Sequence, residues 1–231
     1  MSLFAIADTH LSLSADKPMD IFNGWSDYVQ RLQKNWRAVV TDGDTVVIPG
    51  DVSWAMSLEG AEKDFAFLES LPGRKILMKG NHDYWWNTAR KMENFFREKG
   101  FETIDIVHNS AKLVGNISVC GTRGWFFDAE EDADKKVLLR EAGRLRTSIE
   151  KGMALGGEPV VFLHYPPITQ DRICPEIYDV LVGYKIKRCF YGHLHSFATK
   201  CAFEGERDGI NFSLISGDYL EFLPKLIEKQ P

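Results

Sequence analysis

Residues 75–83 read KILMKGNHD, and this segment decides how the rest of the chain is interpreted. Its first five residues form a short apolar run that predicts a buried strand, and Gly80-Asn81-His82-Asp83 forms the loop after it. Gly80 permits a sharp turn or a close approach of the backbone to a ligand. Asn81 offers an oxygen for a hard cation, and Asp83 offers a carboxylate that could hold the His82 imidazole in one tautomer. The loop therefore predicts a catalytic or metal-binding site.

Four more apolar runs follow the same pattern. Each predicts a buried strand that ends in side chains able to bind metal ions. These side chains are Asp8 and His10, Asp51, His164, and His193 and His195. Helical spacing between the first three runs predicts crossover helices and parallel strands, and so an α/β fold. Sites in open α/β sheets form outside the carboxyl ends of the strands, so these residues are expected to converge. Only one of the six histidines, His108, lies elsewhere.

Each group alone also has an ordinary structural interpretation. The pair after the first run could be a helix cap and an isolated imidazole. Asp51 could be a turn aspartate, and His164 could be a buried histidine with satisfied hydrogen bonds. On an extended segment His193 and His195 would point to one side, which suits metal binding but also suits a surface. The order and context of the five groups together indicate a site more strongly than any one of them.

The composition restricts the class of protein. The chain has 231 residues, 44% hydrophobic and 26% charged, which is ordinary for a globular protein. Its net charge of −5 argues against a protein that grips long nucleic acid, but leaves room for a small nucleotide substrate. No apolar run approaches the ~20 residues of a membrane span, and no secretory signal is recognised, so a cytoplasmic protein is predicted. Without linkers or internal repeats, residues 1–231 are predicted to form a single domain.

The cysteines and an acidic run allow two further predictions. None of the four cysteines lies in a C-x-x-C pair, so buried or idle thiols are expected rather than a zinc knuckle or a redox motif. The acidic run of residues 128–134 suits the N-terminal turn of a helix.

In order along the chain, the five groups resemble the signature of the calcineurin-like metallophosphoesterases. The motifs are Asp8-x-His10, Gly50-Asp51, Gly80-Asn81-His82-Asp83, His164 and Gly192-His193-x-His195. They extend over residues 8–195, and no motif of the series is missing. The resemblance implies a four-layer α-β-β-α sandwich of two mixed sheets, with a two-metal centre at the strand ends.

Carried over position by position, the resemblance implies a role for each motif residue. Two sets of three residues would each bind one metal ion, and a seventh residue would bridge the ions: Asp8, His10 and His195; Asn81, His164 and His193; and Asp51. His82 would stabilise the transition state or protonate the leaving oxygen, with Asp83 orienting it. The mixed oxygen and nitrogen donors suit two divalent or trivalent ions of Mn, Fe or Zn. Such a pair can clamp a phosphoryl oxygen and activate a water.

Residues around the motifs bear on the substrate. The protein serine/threonine phosphatases of this family carry Asp-Arg-Gly shortly after the second motif, whereas here Val52-Ser53-Trp54 follows Asp51, so the chain looks closer to uncharacterised bacterial phosphohydrolases. Asn81 and Arg123 are candidates to bind a substrate phosphate, although Arg123 could equally be a surface arginine. Aromatic residues in the motif loops could stack on a substrate ring or serve only in packing. They are Trp54, Tyr84, Trp85, Trp86 and Trp125.

Three functions are compatible with these patterns. The first is a dinuclear metal-dependent phosphohydrolase that cleaves a phosphomonoester or phosphodiester bond of a small, for example nucleotide-like, substrate. The second is a catalytically silent scaffold of the same fold that binds a partner protein through exposed aromatic side chains. The third is a nuclease, which the acidic net charge disfavours.

Overall fold

Eleven β-strands and five α-helices follow one another along residues 1–125 and 132–229, the part of the chain that the computed structural model describes. The first half contains β1 (Ser2–Ala5), α1 (Tyr28–Val39), β2 (Thr45–Pro49), α2 (Glu62–Glu69), β3 (Arg74–Met78), α3 (Ala89–Lys99) and β4 (Ile104–Ile106). The second half contains β5 (Lys112–Val114), β6 (Ile117–Thr122), α4 (Asp132–Ala154), β7 (Glu158–Leu163), α5 (Pro175–Gly183), β8 (Arg188–Tyr191), β9 (Gly205–Arg207), β10 (Ile210–Leu214) and β11 (Lys225–Lys229).

The strands form two mixed sheets. Strands β1 to β4 pair in parallel and β11 joins β1 in the antiparallel direction, which gives the order β11-β1-β2-β3-β4. The second sheet has the order β5-β6-β7-β8-β10-β9, with antiparallel pairs at both edges. Helices α1 to α3 make the parallel pairing of the first sheet possible, because parallel strands need a long connection. The expected α/β fold with two mixed sheets is confirmed.

Three apolar clusters show how the sheets and helices are layered. One cluster lies between the two sheets and includes Val47 of β2 and Phe162 of β7. A second packs helices α1 to α3 on the outer face of the first sheet, and a third packs α4 and α5 on the outer face of the second. Strand β2 alternates between them, since Val46 and Ile48 face the helices while Val47 faces the other sheet. The layers are therefore helix, sheet, sheet and helix.

The predictions for the acidic run, the cysteines and a membrane span have different outcomes in the structure. The acidic run of residues 128–134 lies partly outside the described residues, and α4 begins within it at Asp132. All four cysteines are free; Cys201 is exposed and the other three are buried, which agrees with structural or idle thiols. Within the described residues, no helix combines the length and the apolar character that crossing a bilayer would require.

The two sheets meet at the edge where the predicted ligands lie. Ala7, after the end of β1, donates a backbone hydrogen bond of 2.7 Å to Ile215, which follows β10 of the other sheet. Asp8 donates another of 3.0 Å to the carbonyl of Gly50, which follows β2. These bonds hold the loops after several strands against one another, so side chains from distant parts of the sequence share one site.

Candidate metal centre

The seven predicted metal ligands lie together at the carboxyl ends of β1, β2, β3, β7 and β8. The backbone N–H of His10 donates to the carbonyl of Asp51 at 2.9 Å, and that of Gly192 donates to the carbonyl of His164 at 3.1 Å. The backbone N–H of His193 donates to Oδ2 of Asp8 at 2.8 Å, which links the last motif to the first. The loops therefore support each other through main-chain bonds, and the second oxygen of Asp8 stays available for a ligand.

Four of these residues have a left-handed backbone conformation. Their φ values are 59° at Asp8, 43° at His10, 49° at Asp51 and 71° at His193. Residues other than glycine adopt this conformation at a cost of about 1–3 kcal/mol each, and such strain clusters at functional sites. The hydrogen bonds between the loops offset this strain, so the fold and not local preference sets the direction of the side chains.

The first group of possible ligands consists of Asp8, His10 and His195. The Nε2 atoms of His10 and His195 are 3.4 Å apart, and His195 Nε2 lies 3.8 Å from Oδ1 of Asp8. Oδ2 of Asp51 lies 3.7 Å from His10 Nε2. Ring nitrogens and carboxylate oxygens thus surround one point, at distances that a shared cation would bridge.

The second group is centred on His164. Its Nε2 lies 2.5 Å from Oδ1 of Asn81, 3.3 Å from Nδ1 of His193 and 3.6 Å from Oδ1 of Asp51. Asp51 therefore presents Oδ2 to the first group and Oδ1 to the second, as a bridging ligand must. A Cβ at position 80 would overlap Oδ1 of Asp51, so Gly80 permits the close approach that the sequence suggested.

The electrostatics of both groups fit metal ions. Burial, with Asp83 and Asp8 nearby, raises the pKa of Asp51 to about 9, and burial raises the pKa of Asp8 to about 6. Burial and neighbouring histidines hold the pKa of His164 well below its ordinary value, so its ring is a neutral lone-pair donor. Among the described residues, Oδ1 of Asp8 and Nδ1 of His164 are buried without a hydrogen-bond partner. Against the effect of burial, Asp8 and Asp218 raise the pKa of His195, so this ring is the nearest positive counter-charge to Asp8. The oxygen and nitrogen donors of both groups fit Mn, Fe or Zn ions.

Asp218 supports the first group, although it was not among the residues predicted from the sequence. Its Oδ1 lies 2.8 Å from Nδ1 of His195, and its Oδ2 accepts a bond of 2.9 Å from the backbone of Ser196. A carboxylate on Nδ1 fixes the tautomer whose Nε2 is free to bind a metal ion. The signal was available, because the apolar strand β10 is followed within four residues by Asp218, as β1 and β2 are followed by their aspartates.

The expectation that Asp83 orients the His82 ring is wrong. Asp83 is buried, and its two oxygens accept five hydrogen bonds that leave no position for that ring. The donors are the backbone N–H groups of Gly80, Asp51, Val52 and Ser53 and the indole of Trp85. Asp83 instead fastens the loop after β3 to the loop after β2, and so positions Asp51.

We expect Asp83→Ala to lower the free energy of unfolding by roughly 3 kcal/mol, because it leaves several buried N–H groups without an acceptor. Urea denaturation followed by circular dichroism measures this loss. Asp16→Ala, at an exposed aspartate in the loop after β1, is the matched control and should change stability little. An equal, small effect of both substitutions would contradict the positioning role of Asp83.

His82 lies at the rim, outside both ligand groups. Its ring centroid is 4.3 Å from that of Trp54 and 5.9 Å from that of His10. Its Nδ1 lies 3.4 Å from the Tyr84 hydroxyl, and its backbone N–H donates to Oδ1 of Asp51 at 2.8 Å. Burial lowers the pKa of His82, with His195 adding to the effect, so the ring is neutral at neutral pH.

The aromatic residues of the motif loops separate into different environments. Trp85 is fully buried in the helix-side core of the first sheet, so packing is its role. Trp54 stacks on His10, with ring centroids 5.0 Å apart and planes at 21°. Trp86 is partly buried and donates from its indole to Nδ1 of His108 at 3.0 Å. Tyr84 is 52% exposed, which leaves its ring accessible to a substrate.

Arg123 is not a surface arginine. Its side chain is 17% exposed, its guanidinium lies 4.3 Å over the ring of Trp125, and its Nη2 is 3.8 Å from Oε1 of Glu141. It follows β6 and lies in neither ligand group. Binding of a substrate phosphate by Arg123 stays a prediction.

Comparison with known proteins agrees with this geometry. The family model for calcineurin-like phosphoesterases matches residues 1–197. An uncharacterised protein of Methanocaldococcus jannaschii, MJ1445, is 31% identical over 96 residues, which cover 39% of this chain and 52% of that protein. The match therefore spans about half the length of this curated relative.

Several solved structures share the fold. A protein of unknown function from Aquifex aeolicus, AQ665, has a TM-score of 0.54 at 16% identity and covers 97% of this chain and 95% of its own. The phosphopantetheinyl hydrolase of Mycobacterium tuberculosis has a TM-score of 0.56 at 14% identity, with coverages of 100% and 96%. The protein TT1561 of Thermus thermophilus has a TM-score of 0.55 at 12% identity, with coverages of 86% and 85%. At such low identity these likenesses show the fold alone.

Proposed function

This chain belongs to the calcineurin-like phosphoesterase family, and on that premise we propose that it is a two-metal phosphohydrolase acting on a small phosphomonoester or phosphodiester. The observation that carries the proposal is the orientation of Asp51, which turns one carboxylate oxygen to each of two groups of donors. A single metal site would not need a buried carboxylate directed to both sides.

Each donor group would hold one ion. The first would use Asp8, His10 and His195, the second Asn81, His164 and His193, and Asp51 would bridge them. When bound, two such ions supply positive charge to a phosphoryl oxygen and lower the pKa of a shared water. The imidazoles of His10 and His164, whose pKa values burial lowers, can bind without first losing a proton. Against the effect of burial, Asp8 and Asp218 raise the pKa of His195, so that ring would release its proton on binding, and Asp218 keeps its tautomer fixed.

His82 would act on the substrate and not on the metal ions. If the Tyr84 hydroxyl donates to Nδ1 of His82, the ring carries its proton on Nε2 and can donate it in a hydrogen bond. A neutral ring is a weak acid, so its lowered pKa favours transition-state stabilisation over protonation of the leaving oxygen. The partly exposed position of the ring leaves it open to substrate.

We expect metal-dependent hydrolysis of p-nitrophenyl phosphate or bis-p-nitrophenyl phosphate. Protein stripped with a chelator should be inactive, and two equivalents of Mn²⁺, Fe²⁺ or Zn²⁺ should restore turnover, because the two proposed donor groups would each hold one ion. Release of p-nitrophenol measures the rate, and elemental analysis measures the metal content. The ratio of the two rates decides between monoester and diester preference.

Two results would contradict this function. Protein that holds two ions yet cleaves no member of a broad phosphate-ester panel would be a scaffold, and a partner in a pull-down would then support that alternative. Cleavage confined to single- or double-stranded nucleic acid in a gel assay would make it a nuclease.

A further inference from the structure

A positively charged recess lies beside the metal centre. It lies at the carboxyl ends of β3, β4 and β6, against helix α4. It is narrow and open to solvent: about 20 Å³ is accessible to the centre of a water molecule, within an empty space of about 320 Å³ that includes solvent at its mouth. Its charged lining consists of three cations and one carboxylate, namely Lys79, Arg123, Arg144 and Glu141. No predicted metal ligand lines it.

The charges in the recess do not balance. Glu141 is 1% exposed, and its Oε1 lies 2.5 Å from Nη1 of Arg144 and 3.8 Å from Nη2 of Arg123. Its other oxygen accepts a hydrogen bond from the Thr122 hydroxyl. One carboxylate thus serves two guanidinium groups, and the Lys79 ammonium adds a further positive charge. The lining therefore carries a surplus of positive charge.

Two of the cations also have unused donors. Among the described residues, Nζ of Lys79 has no ion pair or hydrogen bond, and Nε of Arg123 is buried without a partner. An anion in the recess would satisfy these donors and relieve the repulsion between the cations.

His108, the histidine outside the motifs, adds a neutral donor. Its Nδ1 accepts the hydrogen bond from Trp86, so the proton of the neutral ring is on Nε2. Burial lowers the pKa of His108, with Arg144 and Lys79 adding to the effect, so the ring stays neutral. The lining thus combines ammonium, guanidinium and imidazole N–H groups, which match the several oxygens of a phosphate.

Short connections link the recess to the metal centre. Lys79 is two residues before Asn81, so their Cα atoms are at most about 7.6 Å apart. The carbonyl of Arg123 accepts a hydrogen bond of 2.8 Å from the backbone of Tyr165, the residue after His164. The Tyr165 ring lies 4.3 Å from the His193 ring. Tyr165 therefore contacts both Arg123, in the lining of the recess, and His193, in the second ligand group.

We propose that the recess binds a second phosphate group of the substrate while the reacting phosphate occupies the metal centre. The substrate would then be a phosphoester that carries two phosphate groups. This inference rests on the proposed function, which supplies the reaction at the first phosphate. It also gives Arg123 its predicted contact with phosphate, in a recess it shares with Lys79 and Arg144.

The first test is binding of inorganic phosphate to the metal-free protein, measured by titration calorimetry in a chelator. Without metal ions the ligand groups hold no metal charge to attract phosphate, so a loss of binding on substitution of Lys79 or Arg144 reports the recess. Lys79→Met and Arg144→Gln should each weaken binding at least about tenfold, the effect of losing one charged hydrogen bond. The exposed Lys34→Met is the matched control and should bind as the wild type does. Absence of wild-type binding, or unchanged binding by both variants, overturns the inference.

The second test compares substrates in the Mn²⁺-loaded protein. Lys79→Met should lower kcat/KM for adenosine 3′,5′-bisphosphate at least about tenfold more than for p-nitrophenyl phosphate. Equal losses on both substrates overturn the recess and leave the proposed function intact. If the loaded wild type cleaves neither substrate nor the wider panel, the proposed function fails, and the metal-free titration still decides the recess. Thermal unfolding controls for folding, because loss of an unpaired cation should not lower the Tm.

Discussion

Asp51→Asn is expected to abolish phosphoester hydrolysis, with kcat/KM lower by about 10³-fold or more. Asp51 offers one oxygen to His10 and the other to His164, so its carboxylate belongs to both donor groups. An amide keeps the shape but loses the charge and one oxygen, and it cannot bridge two ions in the same way. Hydrolysis of p-nitrophenyl phosphate and elemental analysis of the purified variant measure the two losses.

Asp64→Asn is the matched control for this substitution. Asp64 is also buried and accepts hydrogen bonds from the Ser53 hydroxyl and the backbone of Leu13, but it lies in neither donor group. Its variant should keep its metal ions and most of its activity. Full activity and full metal content in Asp51→Asn would contradict the bridging role.

The pH dependence of stability separates loss of metal binding from loss of folding. The pKa of Asp51 is raised to about 9 in the metal-free fold, far above the ~3.9 of an unfolded chain. A raised carboxyl pKa means that the folded state favours the proton, so its stabilisation is present at low pH and lost as pH rises to about 9. The metal-free wild type should therefore lose more stability than Asp51→Asn between about pH 4 and pH 9, and added metal should reduce that loss.

The ligand positions could be predicted from the sequence because each ligand lies within a few residues of an apolar run that itself predicts a strand. Asp8 and Asp51 follow apolar strands of the first sheet and His164 follows one of the second, each within a few residues, and the parallel strands of a sheet end at one edge. The partners of Asp83 could not be predicted in this way. They depend on which backbone N–H groups the packing of two loops brings to its carboxylate, and one of those loops contains the left-handed Asp51.

Contacts between distant elements account for the rest of what the sequence did not show. The arrangement of strands into two sheets was expected only from the family resemblance. It depends on pairing between distant residues, such as that of β11 with β1 across nearly the whole chain. The run that ends at Lys79 reads as apolar, yet Lys75 within it is fully buried, and its ammonium donates to the carbonyls of Leu71 and Gly73. The recess likewise joins a residue after β3, one after β6 and one on α4, and no spacing along the chain indicates that contact.

His82→Ala is expected to lower kcat by about 10²- to 10³-fold while both metal ions stay bound, since this is the usual loss when one donor to the transition state is removed. The His82 ring lies outside both donor groups, and its backbone N–H, which alanine retains, supports Oδ1 of Asp51. Steady-state kinetics and elemental analysis of the same preparation measure the two effects.

His82→Gln provides the conservative comparison, because its amide can donate a hydrogen bond but cannot titrate. Partial recovery of kcat in that variant is expected for a neutral donor, and no recovery would indicate proton transfer instead. Loss of a metal ion from His82→Ala would place the ring among the ligands and contradict its separation from them.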